Sequence, residues 1–280
     1  MHNIKDIRKD LDFFKKKISE RNSLINFDDL ILFDKENREL IQQKEIKEQE
    51  KKLLSKSKDP TNFNKSKILS KEIDEIAKNQ IISQDKISSI LSNIPNIARD
   101  EVPVGADEKS NKLIRQNGAI KKFSFSIKSH IEIGEKNSQI DFKTSSKLSG
   151  SRFVILNSYF ALLERALINF MLDIHIGKFF YKEISPPLLV NENVMFGTGQ
   201  LPKFEEDQFE IKLAKVEERK FLIPTAEVVL TNLVRDSVLD SKSLPLRYVA
   251  STPCFRKEAG SYGKDTKGLM RQHQFYKVEL

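Results

Sequence analysis

The chain has 280 residues, of which 39% are hydrophobic and 31% charged, with a formal net charge of +8 at neutral pH. That length suits one large domain or two, and no stretch approaches the ~20 apolar residues of a membrane-spanning helix or carries the apolar run of a signal peptide, so no membrane partner is expected. Cys254 is the only cysteine, which excludes an internal disulfide and a cysteine-built zinc site and fits a reducing, cytoplasmic compartment.

Charge crowds the first hundred residues, whereas phenylalanine and proline concentrate later, which implies a solvated helical part followed by a packed part. Apolar Ile4, Ile7, Leu11, Phe14 and Ile18 have helical spacing and predict one short docking helix over residues 3–18. Asn26-Phe27-Asp28 is a cap for a long helix over Leu30–Ser57, and Lys58-Asp59-Pro60-Thr61 breaks it. From Asn62 to Ile94, the positions Leu69, Ile73, Ile76, Gln80, Ser83, Ile87, Ile90 and Ile94 alternate four and three apart, a heptad seam with two polar interruptions. Phe33, Leu40 and Leu54 offer the facing seam, with Lys47 in its third slot and Asn37, Lys44 and Lys51 in the weaker row. An antiparallel helical hairpin is expected, reaching roughly 40 Å at about 1.5 Å per residue.

Lys51 to Lys71 holds seven lysines against one aspartate, so the basic excess sits at the far tip of the hairpin. A solvated tip and a phosphate-contacting tip both fit that run. Val102-Pro103-Val104-Gly105 punctuates the chain, giving expected domains 1–105 and 106–280. His130, in Ser129–Glu135, reads as a satisfied structural residue. Leu156, Phe160, Leu163, Leu167, Phe170 and Ile174 predict a buried helix over Val154–Ile176.

Toward the end, the stretch around Cys254–Glu258 and the stretch Gln274–Leu280 alternate in polarity, predicting two strands joined by the loop Ala259–Met270. Arg256 and Arg271 are planar forks for phosphate oxygens, Phe275 is a ring face for a base, and Glu258 and Glu279 are acceptors for amino groups. That set suits a nucleotide and an amine. Cys254 reads as a small core residue.

The run Phe255-Arg256-Lys257-Glu258-Ala259-Gly260-Ser261-Tyr262-Gly263, followed by Arg271-Gln272-His273-Gln274-Phe275 and Lys277-Val278-Glu279, closely resembles motif 2 of bacterial seryl-tRNA synthetases, class II aminoacyl-tRNA synthetases. Gly197-Thr198-Gly199-Gln200-Leu201-Pro202-Lys203-Phe204 and Pro224-Thr225-Ala226-Glu227 resemble the same family in the order it uses, and the chain from Leu24 onward is compatible with it. The resemblance implies an α+β architecture: an N-terminal antiparallel coiled-coil arm, then a partial class II antiparallel β-sheet domain flanked by helices, carrying motifs 1 and 2 and stopping before motif 3. It implies ligation of L-serine to tRNA(Ser), and tRNA(Sec) as a further acceptor to be tested, through seryl-adenylate made from ATP with Mg²⁺. The implied ATP site is Arg256, Lys257, Glu258, Arg271 and Phe275, with Arg256 on the α-phosphate as the catalytic group. Thr225, Ala226, Glu227 and Glu279 are the implied serine pocket, while the purely local reading has Thr225 and Glu227 cap a helix over residues 226–234, which the neighbouring motif outweighs. Lys51, Lys52, Lys56, Lys58, Lys65 and Lys67 are the implied tRNA contacts, and no metal ligand is assigned within the chain. The helix ending near Pro186-Pro187-Leu188 resembles motif 1, implying a homodimer, with Phe180 standing where that family usually has glycine. The alternative reading is a non-catalytic tRNA-binding or dimerisation fragment, and the 280 residues alone are expected to support little serine activation.

Other nucleotide signatures fail on their own letters. His175-Ile176-Gly177-Lys178 and Leu54-Ser55-Lys56-Ser57 have the wrong order for a class I synthetase. Leu269-Met270 replaces the Lys-Ser/Thr of a P-loop after Gly268, and Gly197-Thr198-Gly199 lacks the third glycine of a dinucleotide fingerprint.

Overall fold

The computed structural model of the chain describes residues 1–56, 62–136, 138–212, 214, 218–259 and 268–280. Contacts divide it into two compact units, Met1–Ala119 and Ile120–Leu280. The division falls later than Gly105 because Gly105 is tied to the first unit, where Asn22 Nδ2 donates to its carbonyl at 3.1 Å.

In the first unit the expected single docking helix is two, α1 (Ile4–Lys9) and α2 (Leu11–Ser19). The break lies at Asp10, whose backbone leaves the helical region (φ −145°) while its carboxylate accepts from the Phe13 N–H at 3.1 Å, capping α2. Helical periodicity survives the break, so the pattern could not reveal it. Helices α3 (Phe27–Lys56) and α4 (Asn62–Asn93) form the arm. Asn26 caps α3 through its Oδ1, which accepts from Asp29 N at 3.1 Å. At the base, Ile7, Phe14 and Ile18 join Phe27, Leu30, Ile87, Leu91 and Ile94 in one buried cluster.

The seam runs antiparallel, and two of its polar positions, Ser83 and Lys47, are satisfied across it. Ser83 Oγ donates to the Phe33 carbonyl at 3.1 Å, and Lys47 Nζ meets Glu72 Oε2 at 2.7 Å. A lysine in the third slot is therefore paired with its opposite helix. Asp34 is buried with Arg8 at 3.4 Å and Arg38 at 3.0 Å, so its charge is neutralised from two sides.

The second unit contains α5 (His130–Lys136), β1 (Ile140–Asp141), α6 (Phe142–Ser149), β2 (Ile155–Leu156), α7 (Tyr159–Phe179), β3 (Lys182–Glu183), β4 (Leu189–Asn191), α8 (Glu192–Gly197), β5 (Glu210–Ile211), β6 (Lys220–Leu222), α9 (Glu227–Asn232), β7 (Tyr248–Phe255) and β8 (Gln274–Glu279). Strands β1 and β2 pair antiparallel, as do β4, β6 and β5 in that spatial order; β7 pairs antiparallel with β8 and parallel with β3. Val190, Met195, Leu201, Phe221, Ile223, Val228 and Val229 form the principal core. The glycines of Gly197-Thr198-Gly199 have structural reasons to be there. A Cβ on Gly197 would lie 2.8 Å from Asn232 Oδ1, and Gly199 has φ +75°.

Two expectations change here. The helix expected over Val154–Ile176 starts at Tyr159, because Leu156 belongs to β2, paired with Ile140. Nor is it a buried helix: among its residues only Leu172 is buried, while Leu163, Leu167 and Phe170 are exposed, Phe170 by 60%. The periodicity is real, but among the described residues most of the face it predicts is left exposed. Phe180 ends α7 in the left-handed conformation (φ 59°, ψ 36°), its N–H bonded to the His175 carbonyl. That geometry is free for glycine and costs a bulky residue on the order of 1–2 kcal/mol.

Candidate active site

The site is built on the hairpin of β7 and β8. The register pairs Ala250 with Glu279, Thr252 with Lys277 and Cys254 with Phe275, and the Arg256 N–H continues the ladder to the His273 carbonyl at 2.9 Å. Because side chains alternate across a strand, Cys254, Arg256, Phe275, Lys277 and Glu279 share one face. Cys254 is fully buried there, its thiol pushed up by burial, as befits a core residue. The first strand ends at Phe255 and does not continue through Glu258 as expected. Glu258 has φ +52°, a left-handed turn that strand alternation cannot anticipate.

At the open end, the Arg256 guanidinium carbon stands 5.3 Å from the Phe275 ring centroid, and its Nε donates to the Pro224 carbonyl at 3.2 Å. Arg271 Nη1 pairs with Glu258 Oε2 at 3.1 Å. Gln200, Phe204, Asp207, Pro224, Arg256 and Glu258 line a cleft of about 250 Å³. Lys257 is exposed and sends its ammonium over the Phe209 ring, 5.9 Å from the centroid, away from Arg256. Of the expected ATP residues, Arg256, Glu258, Arg271 and Phe275 thus form two interacting pairs, and Lys257 stands apart from them. Gly260 to Tyr262 and Gly263, named with them in the sequence run, lie outside the described residues.

At the inner end, Thr225 Oγ1 donates to Glu279 Oε2 at 2.5 Å. Lys277 Nζ also reaches Thr225 Oγ1, at 3.1 Å, and pairs closely with Glu279. Burial opposes ionisation of Glu279, but the Lys277 ammonium and the Thr225 hydroxyl together outweigh it and hold the carboxyl below the ordinary range. Thr225 is buried and Ala226 fully so, whereas Glu227 is exposed at the start of α9, its N–H donating to Thr225 Oγ1 at 3.3 Å. Thr225 and Glu279 are brought together, and Thr225 also serves the helix end; Glu227 points to solvent. Sequence reasoning missed Lys277, although its alternation with Phe275 and Glu279 already placed it on the same face.

Two of the histidines, His130 and His273, hold backbone. His130 Nε2 accepts from the Leu269 N–H at 2.9 Å, and His273 bonds the Arg256 carbonyl through Nδ1 at 2.9 Å while packing against Phe153 and Phe209. Among the described residues, no three His, Cys, Asp or Glu side chains converge as a metal-binding group. No described helix is long and apolar enough to cross a membrane.

On the arm, Lys52, Lys56, Lys65 and Lys67 are exposed near the tip and Lys51 is half-buried at the seam. Lys58 lies outside the described residues.

The hairpin thus sets an arginine over an aromatic ring at one end and a threonine–carboxylate pair at the other. Residues 208–280 match the family described as tRNA synthetase class II core domain (G, H, P, S and T). Over all 280 residues the chain is 56% identical to a serine–tRNA ligase of Pelagibacter ubique, spanning 67% of that relative, and it is 44% identical to one of Ehrlichia canis, again spanning 67%. Among solved structures it resembles seryl-tRNA synthetase from Pyrococcus horikoshii complexed with ATP, with a TM-score of 0.83 at 32% identity over 99% of this chain and 68% of that one. The chain belongs to the serine–tRNA ligase family.

Proposed function

We propose that the second unit activates L-serine with ATP and that the first holds tRNA(Ser), with seryl-adenylate as the intermediate. The observation that carries this reading is the single strand face bearing Arg256, Phe275 and the Thr225–Glu279 pair, which offers a phosphate ligand, a stacking ring and an amine acceptor in sequence along the hairpin. Phe275 stacks on adenine and Glu258 receives its amino edge; Arg271 steers the γ-phosphate. The serine carboxylate attacks the α-phosphorus, a carboxyl–phosphate bond forms, and the bond to pyrophosphate breaks. Arg256 stabilises the charge that develops on the phosphoryl oxygens. Serine's carboxylate is already ionised at neutral pH, so the step needs no general base. Mg²⁺ accompanies ATP, and the described side chains contribute their own positive charge through the arginines. Thr225 and Glu279 select serine: a site that binds the substrate's polar groups leaves buried partners unmet when alanine enters. Serine-dependent ATP–pyrophosphate exchange by the full product of the gene tests the reading, and its absence would overturn it.

We further infer that α7 pairs two copies of the chain. Leu163, Leu167 and Phe170 form an exposed apolar row on it, which is the composition of an obligate interface core. Sedimentation should report a dimer, and replacing Leu163 and Leu167 together by aspartate should give monomers. A wild-type monomer would rule the pairing out. A cytoplasmic setting fits the lone buried thiol of Cys254 and a tRNA substrate.

The arm tip is the proposed tRNA contact, since a lysine-rich helical hairpin reads RNA by backbone and shape rather than by base. Neutralising Lys51, Lys52, Lys56 and Lys58 together should weaken tRNA(Ser) binding and flatten its dependence on salt, because each lost phosphate contact removes released counterions. Serine activation should be unaffected. Titration of tRNA at several salt concentrations is the check, and an unchanged affinity and slope would place the RNA elsewhere. The same titration with tRNA(Sec) decides whether that acceptor is shared.

A further inference from the structure

Glu258 is held in a left-handed turn, and the groups that hold it lie far away in sequence. The Asp207 carbonyl accepts from the Lys257 N–H at 2.8 Å, and Asp207 Oδ1 accepts from the Ala259 N–H at 2.8 Å, so one residue grips the backbone on both sides of Glu258. Arg152 Nη1 closes the third side, donating to the Glu258 carbonyl at 3.1 Å. Asp207 is itself fixed. It ends a short 3₁₀ turn, Glu205–Asp207, and Glu205 is bonded to Arg219, which also binds Glu192 at 2.6 Å and Glu210 at 2.9 Å. Those three carboxylates push the Arg219 guanidinium's pKa up and anchor the turn to α8 and β5.

We propose that Asp207 is a positioning residue for the nucleotide cleft: through the Ala259 N–H it fixes the turn that holds the Glu258 carboxylate on Arg271, in the cleft that Arg256 also lines. The proposal rests on the reading that this cleft takes ATP. Two bonds flanking a single residue leave its φ little freedom, which is how a bulky residue stays in a conformation it would otherwise avoid. The two bonds also differ in a way that makes them separable. The acceptor for Lys257 is backbone and survives any substitution; the acceptor for Ala259 is the side chain and does not. Asp207 is half-exposed, so replacing it removes a tether without opening the core.

The test uses the full product of the gene, with Asp207→Ala and Asp207→Asn. Residue-resolved amide exchange without nucleotide should quicken at Ala259 by about tenfold or more in the alanine variant, the scale of a charge-assisted hydrogen bond, while Lys257 stays within about twofold. ATP affinity by titration should fall about tenfold, with kcat at saturating ATP and serine reduced less than about threefold. Asparagine keeps an oxygen acceptor but loses the charge, so both readouts should fall between alanine and wild type. An Ala259 amide as protected in the alanine variant as in wild type, or an ATP affinity left unchanged, overturns the proposal, as does an asparagine variant as impaired as alanine. If the unmodified protein binds no ATP, the functional reading falls, and the amide comparison still decides whether Asp207 fixes the turn.

Discussion

Replacing Arg256 with alanine in the full gene product should lower serine-dependent ATP–pyrophosphate exchange at least about tenfold, and by as much as about a hundredfold. The lower figure corresponds to ~1.4 kcal/mol and the range to the ~1.5–3 kcal/mol of one hydrogen bond to a charged group. Arg256 also has a structural bond, from Nε to the Pro224 carbonyl at 3.2 Å, next to Thr225. The two roles leave different traces. A loss acting through phosphate appears in kcat with the serine KM unchanged, whereas a loss acting through the Pro224 segment raises the serine KM. Arg256→Lys should remain impaired, since an ammonium keeps the charge but not the planar fork that meets two oxygens at once. Equal exchange rates for wild type and the alanine variant would leave Arg256 with its structural bond alone.

The face proposed for this chemistry was legible in the sequence because strand alternation is local: once β8 begins at Gln274, Phe275, Lys277 and Glu279 must point the same way. Where the first strand ends was not legible. Arg256 still pairs with His273, but Glu258 turns left-handed under tethers from Asp207 and Arg152, residues 51 and 106 positions away, and no spacing encodes that. Asp207 escaped notice for a related reason, as half of its grip comes from a backbone carbonyl. The arm was legible almost throughout, since heptad spacing depends only on the helical period. The partner of Lys47 in the third slot was not legible, because the pattern of one helix does not show the glutamate on the other. Helix α7 shows the limit of periodicity most plainly. An apolar stripe states that a face will be covered, and it does not state whether the cover is the same chain or another.

Glu279 should be the residue on which serine affinity depends most. Glu279→Ala removes the acceptor for Thr225 Oγ1 and the partner of the Lys277 ammonium at once, leaving a part-buried lysine beside the position proposed for the substrate ammonium. Loss of an ammonium–carboxylate contact alone is about 1.5–3 kcal/mol, so the serine KM should rise by roughly ten- to a hundredfold, and repulsion from Lys277 pushes toward the upper end. The ATP KM should move less than about threefold, because Phe275 and Arg256 lie at the other end of the hairpin. Glu279→Gln keeps an acceptor for Thr225 and loses the charge, and should fall between. The pH dependence has a definite sign. The folded-state pKa of Glu279 is depressed below the ordinary value of about 4.3, so the stability its ionised form contributes is complete above that value and is lost only as pH falls through the lower, folded-state pKa. Serine KM in the unmodified protein should accordingly stay flat from neutral pH down to about 5 on account of this group. Steady-state exchange kinetics for the three proteins across that range are the measurement. A serine KM unchanged in the alanine variant would mean that the ammonium is received elsewhere and that Glu279 serves to neutralise Lys277.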